Sequence, residues 1–129
     1  MLKSKYIDVN NGDWGIVVNY DYDITDFDEL ASIMDAFGML GINIKKALNI
    51  LAGYNTGMSV SRNDLRMSAV FISKATSASQ FWDTLNHELY HCCVAIIDYY
   101  GEHYDKEPAA YLQGYLMRKA VEKIGKPCY

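Results

Sequence analysis

The chain has 129 residues, half of them apolar and 22% charged, a composition that fits one globular domain, 1–129, with a core large enough to fold without staples. Its formal net charge of -4 leaves no basic stripe for nucleic acid, and no apolar run approaches the ~20 residues of a membrane span. Three histidines and three cysteines exclude a zinc-finger array and a disulfide framework, and they make the placing of each histidine informative.

Residues 4–9 and 14–22 carry strand-forming sequence, and Asn10-Asn11-Gly12-Asp13 between them is turn chemistry, so a hairpin is predicted. Thr25 and Asp26 offer N-cap oxygens, with Asp28 and Glu29 three residues on. Apolar residues from Phe27 to Leu40 then keep helical period, which predicts a helix over 26–40. The acidic run from Asp21 to Glu29 lacks the glycine and final glutamate of an EF-hand loop, so a capped helix start explains it better than calcium. A second helix is expected at 42–53, then strands at 57–61 and 66–73 with a turn at Arg62-Asn63-Asp64. Ser77 is a good N-cap, and no Pro or Gly interrupts the chain from Ala78 to Tyr100, the longest predicted helix. Gly101 ends it. Pro108 suits the first turn of a last helix, 108–123, ended by Gly125 and Pro127.

The long helix contains His87-Glu88-Leu89-Tyr90-His91, the pattern H-E-x-x-H. At ~100° per residue the two histidines lie on one face, one turn apart, and both imidazoles can reach one metal ion. Glu88 is rotated so that its carboxylate can approach a water rather than the metal. Two histidine ligands and a base on one helical turn is the minimal zincin arrangement, and zinc is the cofactor it calls for. The strand at 66–73 suggests a sheet edge beside this site, where an extended peptide could add a strand.

A catalytic zinc usually takes three protein ligands. The extended pattern with a third histidine is absent, since Val94 and Ile97 stand at its Gly and His positions. The remaining choices are His103, the loop carboxylates Glu102 and Asp105, and Glu107 at the start of the last helix. If that helix packs back on the long one, Glu107 can point at the metal, and a helix-borne ligand is held more firmly than one on a loop. Cys92 and Cys93 flank the motif but point off the two-histidine face. With Cys128, they are expected to be reduced thiols in a cytoplasmic protein, because polar sequence rather than an apolar signal core follows Met1-Leu2-Lys3-Ser4-Lys5.

Thr84 to His91, then Gly101, then Glu107-Pro108-Ala109-Ala110-Tyr111-Leu112 and on to Leu116 resembles small phage-encoded zincin-like metallopeptidases of gluzincin type, over about residues 66–117. The resemblance implies an α+β minimal zincin-like fold. A small twisted, mostly antiparallel sheet would pack on the active-site helix and a C-terminal glutamate helix. It implies zinc on His87, His91 and Glu107, with Glu88 as general base, and it favours Glu107 over His103. A phage origin would place the protein in the host cytoplasm. The expected reaction is peptide hydrolysis: Glu88 takes a proton from a zinc-activated water and passes it to the leaving amine. Tyr111, one turn after Glu107, is the first choice for an oxyanion donor, ahead of Tyr104 and His103. The expected partner is a peptide or protein substrate. The rival reading is a zinc-stabilised binding or assembly module without activity, in which a fourth protein ligand such as His103 closes the site.

Overall fold

A computed structural model describes residues 2–101 and 107–126, with the side chain of Glu107 excepted. The N-terminal hairpin is as expected. Strands β1 (Lys3–Val9) and β2 (Trp14–Tyr20) pair antiparallel, from Lys3 opposite Tyr20 to Val9 opposite Trp14. Asn10, Asn11 and Gly12 all take left-handed backbone between them, a conformation that asparagine and glycine tolerate and β-branched residues do not.

The acidic run forms a capped helix start, but the cap sits earlier than Thr25. Asp23 is extended and accepts from the Thr25 N–H, while the Asp26 carboxylate accepts from the Asp23 N–H, a reciprocal box around one 3-10 turn, Ile24–Asp26. Helix α1 (Phe27–Ala36) follows and stops before residue 40, because Gly38 turns left-handed and the Met39 N–H folds back onto the Met34 carbonyl. Helix α2 (Gly41–Leu51) leads to strands β3 (Gly57–Arg62) and β4 (Met67–Ile72).

The four strands form a mixed sheet in the order β1-β2-β4-β3. β1–β2 and β3–β4 are antiparallel, whereas β2 and β4 run parallel, with Ile16 opposite Ser68. This corrects the expectation that the 66–73 strand lies at the sheet edge. β4 is interior and paired on both sides; β3 is the edge. The physical reason is visible in the residues. Ala69-Val70-Phe71-Ile72 is buried on both faces, the continuous apolar run of an inner strand. β3 instead alternates, with Met58 and Val60 packed on the α1–α2 side and Gly57, Ser59 and Ser61 facing the other way.

Helix α3 (Ala78–Tyr100) occupies the predicted residues. The Ser77 hydroxyl accepts from the Gln80 N–H, and Gly101 ends the helix left-handed at φ 73°. Helix α4 (Glu107–Ile124) follows. The sheet separates two apolar layers. On one face Ile16, Val18, Val70 and Ile72 meet Leu85, Leu89 and Cys92 of α3 and Leu116 of α4. On the other, Ala69 and Phe71 meet Leu30 and Met34 of α1 and Ala47 and Leu51 of α2. Among the described residues, no helix is long and apolar enough to cross a membrane.

Candidate metal centre

Helix α3 lies against the edge strand β3, and the approach is close because β3 begins with Gly57. A Cβ at that position would stand 2.9 Å from both Glu88 Cγ and Thr84 Cγ2 and 3.1 Å from the Phe71 carbonyl oxygen. With the inner face of α3 committed to the core through Leu85, Leu89, Cys92 and Ile96, its helical register brings Glu88 onto β3 and leaves His87 and His91 at the rim.

The two imidazoles converge. His87 Nε2 and His91 Nε2 are 3.2 Å apart, with ring centroids separated by 4.9 Å. Two nitrogens at about 2.0–2.1 Å from a tetrahedral zinc are separated by about 3.3–3.4 Å, so the pair already has the spacing of two ligands on one ion. Glu88 is 6% exposed, and its Oε2 lies 4.0 Å from His87 Nε2, beyond a hydrogen bond. A nearly buried carboxylate beside two convergent imidazoles can accept a proton from a water or amine in the same space. These groups line a shallow cleft of about 530 Å³, completed by Gly57, Met58, Ser59 and Ser61 of β3 and Ala95 of α3.

The last helix packs back on α3. The Cys93 thiol reaches the Ala109 carbonyl at 3.6 Å, and the Gln113 amide donates to Asn86 Oδ1 at 2.8 Å. The first turns of α4 therefore run antiparallel past residues 86–93 of the histidine-bearing segment. Glu107 opens α4, but its side chain lies outside the described residues, as do Glu102, His103, Tyr104 and Asp105. Among the described residues, no group of three His, Cys, Asp or Glu side chains could hold a metal ion.

Tyr111 is not brought to the histidine pair. It is 75% exposed and does not line the cleft. Cys92 and Cys93 are free and buried. Burial pushes the Cys92 thiol up to about 12 and raises Cys93 as well, so both stay protonated and neither offers a thiolate. Cys128 lies outside the described residues.

The cleft residues of β3 were missed by the sequence reading. Their signal was the alternation Gly57-x-Ser59-x-Ser61 set against Met58 and Val60, which marks one polar face of a strand. No family model, curated protein or solved structure matches the chain.

Proposed function

We propose that the chain is a zinc-dependent metallopeptidase with a zincin-like fold. The observation that carries this reading is the 3.2 Å separation of the His87 and His91 nitrogens beside the buried Glu88 carboxylate. His87 and His91 would hold zinc, with Glu107 as the third donor. The donor set suits zinc: two imidazoles and a carboxylate leave one position open for water. When bound, the ion supplies a Lewis acid that acidifies water and polarises a carbonyl.

The chain's own groups do the rest. Glu88 accepts a proton from the attacking water and returns it to the departing amine, a role that burial next to the histidines suits. The edge of β3, unpaired among the described residues, offers backbone N–H and C=O groups to an extended substrate, the role first expected of residues 66–73. Gly57 keeps that edge in contact with the Glu88 stem. Tyr111 has no part in this reading, since it lies outside the cleft.

Metal analysis tests the proposal. The purified chain is expected to hold one zinc per molecule; His87→Ala and His91→Ala are expected to lose it, and Glu107→Ala to weaken it severely. A chain that binds no zinc, or holds it unchanged without both histidines, refutes the reading. Zinc affinity unchanged in Glu107→Ala refutes that ligand alone.

A further inference from the structure

A hydrogen-bonded chain runs from the core of the sheet into the cleft. Trp14 Nε1 donates to Ser68 Oγ at 3.0 Å, and Ser68 Oγ lies 2.7 Å from Ser61 Oγ, directly across the β3–β4 pair. Trp14 is fully buried, as is Ser68, whereas Ser61 is half-buried and lines the cleft with His87, Glu88 and His91. An indole nitrogen can only donate, so the direction of the first bond is fixed. Ser68 has one proton to give. Its two neighbours are the Ser61 hydroxyl and the Cys92 thiol, and sulfur is the weaker acceptor. Given to Ser61, that proton leaves the Ser61 proton free for an acceptor in the cleft. Two donors in series behind a hydroxyl polarise it and strengthen its own donation.

The position of Ser61 defines what it reaches. Gly57 abuts Glu88, and Ser61 lies four residues further along β3, ~13 Å at 3.3 Å per residue. An extended peptide reacting at Glu88 covers that distance with three to four residues. Gly57, Ser59 and Ser61 on this face of the strand are small, so a substrate main chain can come close to it.

We propose that Ser61 is a substrate-binding residue whose hydroxyl donates to a main-chain carbonyl oxygen of the peptide, three to four residues from the bond that is cut. Ser68 and Trp14 are positioning residues that aim it. This rests on the metallopeptidase reading and deepens it: the substrate is an extended peptide recognised through its backbone, and shorter peptides lose a contact. Ser61 acts on binding, not on the proton transfer.

The test uses the full chain loaded with zinc, acetohydroxamate, and two series of alanine oligomers carrying one hydroxamate. In one series the peptide extends on the N-terminal side of the hydroxamate, in the other on the C-terminal side, from one to five residues. In calorimetry, one series should gain about three- to tenfold in affinity when its third or fourth residue is added, the worth of one neutral hydrogen bond. Ser61→Ala should abolish that step, Ser61→Thr keep it, and Ser68→Ala reduce it. Where Ser61→Ala fails to fold, Ser61→Cys, nearly isosteric with a weak donor, takes its place. Acetohydroxamate binding with no step in either series, or with a step that survives loss of the hydroxyl, overturns the role of Ser61 and leaves the zinc site standing. A chain that takes up neither zinc nor acetohydroxamate overturns both.

Discussion

Replacing Gly57 by alanine perturbs the joint on which the centre depends. The new methyl would meet Glu88 Cγ and Thr84 Cγ2 at 2.9 Å and the Phe71 carbonyl oxygen at 3.1 Å. Reaching ordinary contact takes a shift of about 0.5 Å from the two side chains. Glu88 can swing, but Thr84 is β-branched and stiff, and the Phe71 carbonyl belongs to the paired inner strand. Helix α3 must therefore move outward near Glu88. Overpacking of this kind costs about 1–3 kcal/mol, and the strand regains about 0.5–1 kcal/mol from losing a glycine, which leaves about 0–2.5 kcal/mol net, centred near 1 kcal/mol. For a chain of this size that lowers Tm by about 4–8 °C. Displacing Glu88 while the histidine pair stays intact should cut hydrolysis by about 10–100-fold and leave zinc stoichiometry at one. Gly114→Ala is the opposite case: a Cβ there meets nothing within 4 Å, it lies inside α4, and the substitution should stabilise by about 1 kcal/mol. Calorimetric melting of the two variants decides the matter. A Gly57→Ala protein that melts at or above the parent temperature refutes the argument that this glycine sets the helix–strand approach.

Three further outcomes are expected. Tyr22 is buried, and its hydroxyl has no hydrogen-bond partner among the described residues; burial raises its pKa. The folded chain therefore holds the phenol neutral while the unfolded chain ionises near pH 10. Its contribution is fully present below about pH 10 and is lost as pH rises through the higher folded value, at about 1.4 kcal/mol per pH unit. Tyr22→Phe should remove that share of the alkaline loss and raise stability at neutral pH by about 1 kcal/mol, read from urea curves across pH 7–11; an unchanged alkaline slope contradicts it. Ser77→Ala removes the only side-chain cap on the α3 N-terminus among the described residues and should cost about 1 kcal/mol; a smaller loss than that of an exposed mid-helix serine would show the cap is idle. Glu88→Gln should retain zinc and lose hydrolysis by about 10²–10⁴-fold, and full activity in that variant would remove Glu88 as the base.

Local signals carried α3 from Ser77 to Gly101 and the first hairpin, because a cap, a left-handed glycine and an asparagine-rich turn act within a few residues. The two histidines and Glu88 were legible for the same reason: one helical turn fixes their relation. Strand order was not. The parallel pairing of β2 with β4 is a contact between distant segments, and nothing near Arg66 says which strand becomes the edge. The burial of Ala69-Val70-Phe71-Ile72 on both faces was the available clue. The start of α1 fell within one residue of its expected place, but its cap was expected at Thr25 or Asp26 and is Asp23, since several side chains could cap and the extended backbone of Asp23 decided among them. The exposure of Tyr111 was missed because the helix face it shares depends on where Ala109 packs, a tertiary fact.

The parallel joint between β2 and β4 has a kinetic consequence. The described part of the cleft is built from one continuous run, β3, β4 and α3, whose contacts are shorter in sequence than the β2–β4 joint. Joining that run to the hairpin means pairing Ile16 with Ser68, 52 positions apart, and such long closures slow folding. The Trp14 indole donates to Ser68 across this same joint, so its emission reports the closure. In refolding of a Trp82→Phe background, helix formation by circular dichroism should precede the Trp14 signal. The histidine pair would then be assembled on its helix before the sheet that supports it is complete.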